Sequence, residues 1–151
     1  MSNDDIIDTL NDLIETSKDG EYGFRASAEY VTDPSLRQSF ERRAEECRMA
    51  AAELQTMVVR LGGKAEDSGT AAGAMHRGWV AVKGTLAGYT DKAILEETER
   101  GEDSALESYR KALDEPLPAD VRLVVERQYE GVKRNHQQVR ALRDQARAAT
   151  V

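Results

Sequence analysis

The sequence predicts an all-α chain, an up-and-down four-helix bundle of two helical hairpins with a short crossover helix between them. Three observations carry that expectation. Apolar residues recur at three- and four-residue steps through four long segments. The composition is rich in Ala, Leu, Glu and Arg and holds only three prolines and two phenylalanines, and such straight-chain residues lose little freedom in a helix. The breakers Asp33-Pro34, Gly62-Gly63, Pro116 and Pro118 fall between the segments.

The first helix is expected over about 4–31, with Ile6, Leu10, Leu13, Ser17, Phe24, Ala28 and Val31 on its stripe. Asp33-Pro34 ends it, because a residue before proline resists the α region. Asp33 then caps and Pro34 opens a second helix, about 34–61, carrying Leu36, Phe40, Ala44, Cys47, Ala51, Leu54 and Val58. Gly62-Gly63 stops it with the left-handed conformation that glycine tolerates. Helices joined so tightly fold back antiparallel. Residues 62–70 read as a loop, and about 71–87 as a crossover helix weakened by Gly73, Gly78 and Gly84 and held through Trp79. Thr90-Asp91 caps a third long helix, about 91–115, with Ile94, Leu95, Tyr109 and Ala112. The fourth, about 119–148, carries Val121, Gln128, Val132, Asn135 and Val139. At 1.5 Å per residue these are rods of roughly 38 to 45 Å, which bury their stripes only against one another. An 81-residue shift lays Glu21 on Glu102, Cys47 on Gln128 and Ala51 on Val132, as two related hairpins would.

At 151 residues the chain reads as one domain, 1–151, large enough for a core without staples. Its acidic start, Met1-Ser2-Asn3-Asp4-Asp5, is unlike a signal peptide, and no stretch reaches a membrane span. A cytoplasmic protein that binds neither membrane nor nucleic acid is expected from this and from the net charge of −7. Residues 1–33 carry nine acids against two bases and 119–151 seven bases against four acids, so neighbouring helices are expected to pair their charges.

Two Gly-Glu pairs, Gly20-Glu21 and Gly101-Glu102, put carboxylates near the buried centres of the first and third helices. A buried carboxylate must be paired, protonated, metal-bound or solvated. A dinuclear iron or manganese site in such a bundle takes one Glu from each of two helices and Glu-x-x-His from each of the other two. Here the inward positions of the second and fourth helices are Cys47 and Gln128, while Glu45 and Glu126 turn outward. Of the two histidines, His76 lies in the crossover and His136 about two turns beyond the level of Glu102. Two readings follow. In one, Glu21 and Glu102 are structural, with Arg43, Arg48 or Arg127 reaching in. In the other they hold a metal, with Gln128, Cys47, Glu45 or Glu126 as further ligands. His76 and Trp79 are the candidates for a ligand pocket. No residue is nominated as a nucleophile and no cofactor motif is present, so no catalytic residue is expected.

The segments Asn11-Asp12-Leu13-Ile14-Glu15, Ala44-Glu45, Ala52-Glu53-Leu54-Gln55, His76-Arg77-Gly78-Trp79 and Gly101-Glu102-Asp103 followed by Tyr109 carry a further likeness. Through them the chain resembles the ferritin-like superfamily, and more closely an uncharacterised bacterial family of four-helix-bundle proteins within it. The resemblance implies a ferritin-like bundle and a link to metal or oxidative stress. The resulting expectation is a non-catalytic, stress-related bundle that self-associates or binds a protein partner and keeps a degenerate metal site without a cofactor. The alternative is an iron- or manganese-binding or redox protein that uses the inward glutamates.

Overall fold

The computed structural model describes residues 1–66 and 90–149. The predicted crossover helix, with His76 and Trp79, lies outside the described residues. Among those described, four α-helices form a bundle: α1 (Asn3–Tyr30), α2 (Pro34–Arg60), α3 (Asp91–Leu113) and α4 (Ala119–Ala149).

The ends sit where the sequence signals put them. Ser2 caps α1 in a reciprocal box, accepting from Asp5 N at 3.2 Å while its own N–H donates to Asp5 Oδ2 at 3.3 Å. Asp33 accepts from Ser35 N at 2.8 Å, with Pro34 opening α2. After α2, Gly63 N donates to Val58 O and Gly62 N to Val59 O, both at 3.0 Å, and Gly62 takes φ 83°. That pair of bonds is a Schellman closure. Thr90 caps α3, accepting from Ala93 N at 3.2 Å. Arg122 of α4 donates to the carbonyls of Leu113 at 3.2 Å and Glu115 at 2.6 Å, satisfying the end of α3. One carboxylate joins the hairpins. Asp91 accepts from Thr32 N at 2.8 Å, Thr32 Oγ1 at 2.9 Å and Asp33 N at 3.0 Å, tying the α1–α2 turn to the start of α3.

Packing follows the order α2–α1–α3–α4. The two hairpins, α1 with α2 and α3 with α4, are each closely packed, and α1 against α3 joins them. Helices α2 and α4 approach at only a few positions, through polar ties such as the Arg127–Glu53 ion pair and Asn135 Nδ2 donating to Glu46 at 2.9 Å. The expected pairing of acidic with basic helices appears between α3 and the basic helices α2 and α4, in the Arg43–Glu102, Arg143–Glu99 and Arg147–Glu96 pairs. Among the described residues no helix is long and apolar enough to cross a membrane.

The core comes in two clusters. One gathers Leu10, Leu13, Leu54, Val58, Tyr109 and Val125. The other, nearer the α1–α2 turn, gathers Phe24, Val31, Phe40, Cys47, Ile94 and Leu95. The level between them carries the chemistry.

Candidate functional site

At that level a cavity of about 540 Å³ opens, lined by residues of all four helices, among them Ser17, Cys47, Glu102 and Gln128. Helices α1 and α3 present Gly20 and Gly101 there, and α2 and α4 stand apart.

Across the diagonal from α2 to α3, Arg43 Nε donates to Glu102 Oε1 at 3.0 Å. Glu102 is 1% exposed and Arg43 9%. Arg43 also reaches Glu46 of its own helix through Nη1 at 3.4 Å, and its guanidinium carbon lies 5.7 Å from the centre of the Phe24 ring. Glu102 Oε2 has no hydrogen-bond partner among the described residues. Burial pushes the Glu102 carboxyl above its ordinary range, and the attraction and hydrogen bond of Arg43 oppose that rise.

A second polar chain runs alongside. The Tyr109 hydroxyl donates to Gln128 Oε1 at 2.7 Å, and Gln128 Nε2 donates to Glu53 Oε1 at 2.8 Å and Ala50 O at 3.3 Å. Burial pushes Tyr109 up to about 12, so its hydroxyl remains a donor. Burial likewise pushes the Cys47 thiol up to about 12. A thiol so placed is a poor nucleophile at neutral pH. Gly20 lies flush against it, since a Cβ there would stand 2.9 Å from Sγ.

Of the inward carboxylates predicted from the sequence, Glu102 is where it was expected. Glu21 is not. Its side chain is 19% exposed and pairs one turn along with Arg25 at 2.8 Å. The carboxylate that α1 brings to the cavity is Asp19, 1% exposed. The reason is that α1 packs on two helices and buries two stripes, so Asp19, Gly23 and Ala26 are covered as well as Ser17 and Phe24. Centring a wheel on one stripe turned the helix too far, and the small residues Gly23 and Ala26, four and seven positions after Asp19, were the signal for the second. Glu45 and Glu126 face out as expected, 50% and 51% exposed, beside Arg48 and Arg122. Of the three arginines named as candidates to reach in, Arg43 meets Glu102, Arg48 stays with Glu45 and Arg127 with Glu53.

The register of α4 also differs. The 81-residue shift set Gln128 opposite Glu102 and His136 two turns away. Instead Gln128 meets Tyr109, and His136 Nε2 lies 2.6 Å from Asp103 Oδ1, next to Glu102 in sequence. Glu102 stands farther from its turn than Glu21 does, and the connection Asp114–Pro118 is longer than Val31–Asp33, so antiparallel pairing brings a later part of α4 to its level. His136 thereby joins Glu99 and Asp103, their ligand atoms all within 4.8 Å of one another. Sequence reasoning missed this cluster through the register, although Glu99 and Asp103 are one turn apart on α3.

The central residues do not fit a dinuclear carboxylate centre. A permanent cation, Arg43, is bonded to the buried glutamate, and none of the described residues lining the cavity is a histidine. The outer trio suits a single divalent cation by donor type, though Glu99 is already ion-paired with Arg143.

The sequence profile of the family described as a domain of unknown function (DUF2383) matches residues 5–115. No curated protein sequence matches the chain. Among solved structures, a two-domain protein from Anabaena variabilis with DJ-1/ThiJ/PfpI-like and ferritin-like domains is similar, with 14% identity and a TM-score of 0.79. That likeness covers 100% of this chain, which spans 39% of the two-domain protein. A dodecameric thioferritin, the bacterioferritin-related protein from Bacteroides fragilis, is similar at 18% identity and TM-score 0.78, over 99% of this chain and 91% of that one. Dps1 of Mycobacterium smegmatis is similar at 18% identity and TM-score 0.76, over 95% and 99%. These likenesses show the fold, a ferritin-like four-helix bundle.

Proposed function

This chain belongs to the DUF2383 family, and we propose that it is a non-catalytic ferritin-like subunit that assembles with copies of itself, its interior metal chemistry replaced by an arginine–glutamate pair. The observation that carries this reading is the bond from Arg43 Nε to Glu102 Oε1, 3.0 Å across the centre of the bundle. A guanidinium is always charged, and one already bonded to the buried carboxylate offsets the negative charge that two divalent metal ions would need there. The dodecameric relative supports assembly.

The test is sedimentation together with anaerobic loading with Fe(II) and Mn(II), followed by elemental analysis. An oligomer without stoichiometric interior metal is expected. One metal per chain that disappears in Glu102→Ala, or a monomer at high concentration, would overturn the reading. A second reading rests on the outer trio of Glu99, Asp103 and His136. Metal retained in Glu102→Ala and lost in His136→Ala would select it.

A further inference from the structure

We propose that the central cavity binds a small apolar primary amine, its ammonium head donating to Glu102 Oε2 and its hydrocarbon tail lying between the two core clusters. Three observations point to that class of ligand. The volume, about 540 Å³, lies within the range of small-molecule sites. The walls carry apolar surface from Phe24, Ala50, Ala105 and Val132. Glu102, 1% exposed, is one of the lining residues, and one of its carboxylate oxygens is buried with no partner among the described residues.

A buried acceptor left unmade is costly, so the occupant that gains most is a donor. Charge makes the choice narrower. Among the described residues the lining holds four carboxylates and three guanidinium groups. Arg127 is engaged with Glu53, and Arg43 serves both Glu46 and Glu102. A carboxylic acid of the same shape would meet Glu102 as a like charge, and an alcohol would supply a donor without the compensating charge.

The experiment is calorimetric titration of the purified full chain with hexylamine, hexan-1-ol and hexanoate. Saturable binding of one hexylamine per chain is expected, about tenfold or more tighter than hexanol, with hexanoate silent. Glu102→Gln, checked for helical content, is expected to bring the amine down to within about twofold of the alcohol. Ala105→Phe, which fills the space, is expected to remove both. No saturable amine binding, or hexanol binding as tightly as hexylamine in the unaltered protein, would overturn the proposal whether or not Glu102→Gln folds. So would an amine preference that survives in a folded Glu102→Gln.

Discussion

Replacing Arg43 by Met keeps an apolar stem and removes the charge, leaving Glu102 at 1% exposure with no partner for either oxygen among the described residues. Breaking a buried pair from one side costs about 3–5 kcal/mol. The adjoining cavity lets water reach the orphaned carboxylate, so the lower figure, about 3 kcal/mol, applies. At roughly 2–4 °C per kcal/mol for a chain of this size, Tm falls by about 6–12 °C. The sign of the second step is the sharper check. Replacing both partners by methionine removes the stranded charge as well, and buried pairs exchanged for apolar groups end about neutral or more stable. The double variant is therefore expected above the single one.

The cost should also depend on pH. Glu102 has a folded pKa raised above its unfolded value, by burial against the opposition of Arg43. Between those two values the folded state holds the extra proton, so stability is full below the unfolded value and is lost as pH rises through the folded one. Without Arg43 the folded value climbs further and the loss at neutral pH deepens. Urea titrations followed by circular dichroism at mildly acidic and neutral pH measure this. An Arg43→Met cost under about 1 kcal/mol at neutral pH, or a double variant no better than the single, would refute the assignment of Arg43 as the counter-charge of Glu102.

Three further outcomes follow from the packing. Cys47, its thiol pushed up to about 12 by burial, is expected to resist iodoacetamide in the native protein and to react once urea unfolds it, as read by mass spectrometry. Gly20→Ala presses a methyl onto Cys47 Sγ at 2.9 Å and is expected to cost about 1 kcal/mol, the strain outweighing the helix-propensity gain. In a Cys47→Ala background, which removes that sulfur, the same change should stabilise by a few tenths to about 1 kcal/mol. Gly62→Ala forces a side chain into φ 83° and is expected to cost about 1–2 kcal/mol, seen as a lower urea midpoint with unchanged slope.

The helices were legible because their evidence is local. Asp33-Pro34, Gly62 and Thr90 act on backbone groups a few residues away, so those ends could be read where they lie. Glu102 was legible for a similar reason, since its stripe neighbours Leu95 and Tyr109, one heptad either side, fix its face. What failed depended on neighbours. A helix covered on two sides has no single centre, which misplaced Glu21 and hid Asp19. The level of His136 depends on where a turn falls between two helices, which a fixed shift along the sequence does not count. Arg43 stood among the sequence candidates, but only the diagonal across the bundle distinguishes it from Arg48 and Arg127.

The sparse approach of α2 and α4 gives the bundle a preferred way to breathe. Apolar side chains clasp α1 to both of its neighbours, whereas the fourth edge is drawn together by Glu53, Arg127, Gln128, Asn135 and Glu46. Such contacts weaken in salt, while apolar burial does not. The assembly therefore behaves like a book whose spine is α1 with α3 and whose covers are fastened by charge. Added salt is therefore expected to speed solvent exchange of the interior at that edge before global unfolding contributes.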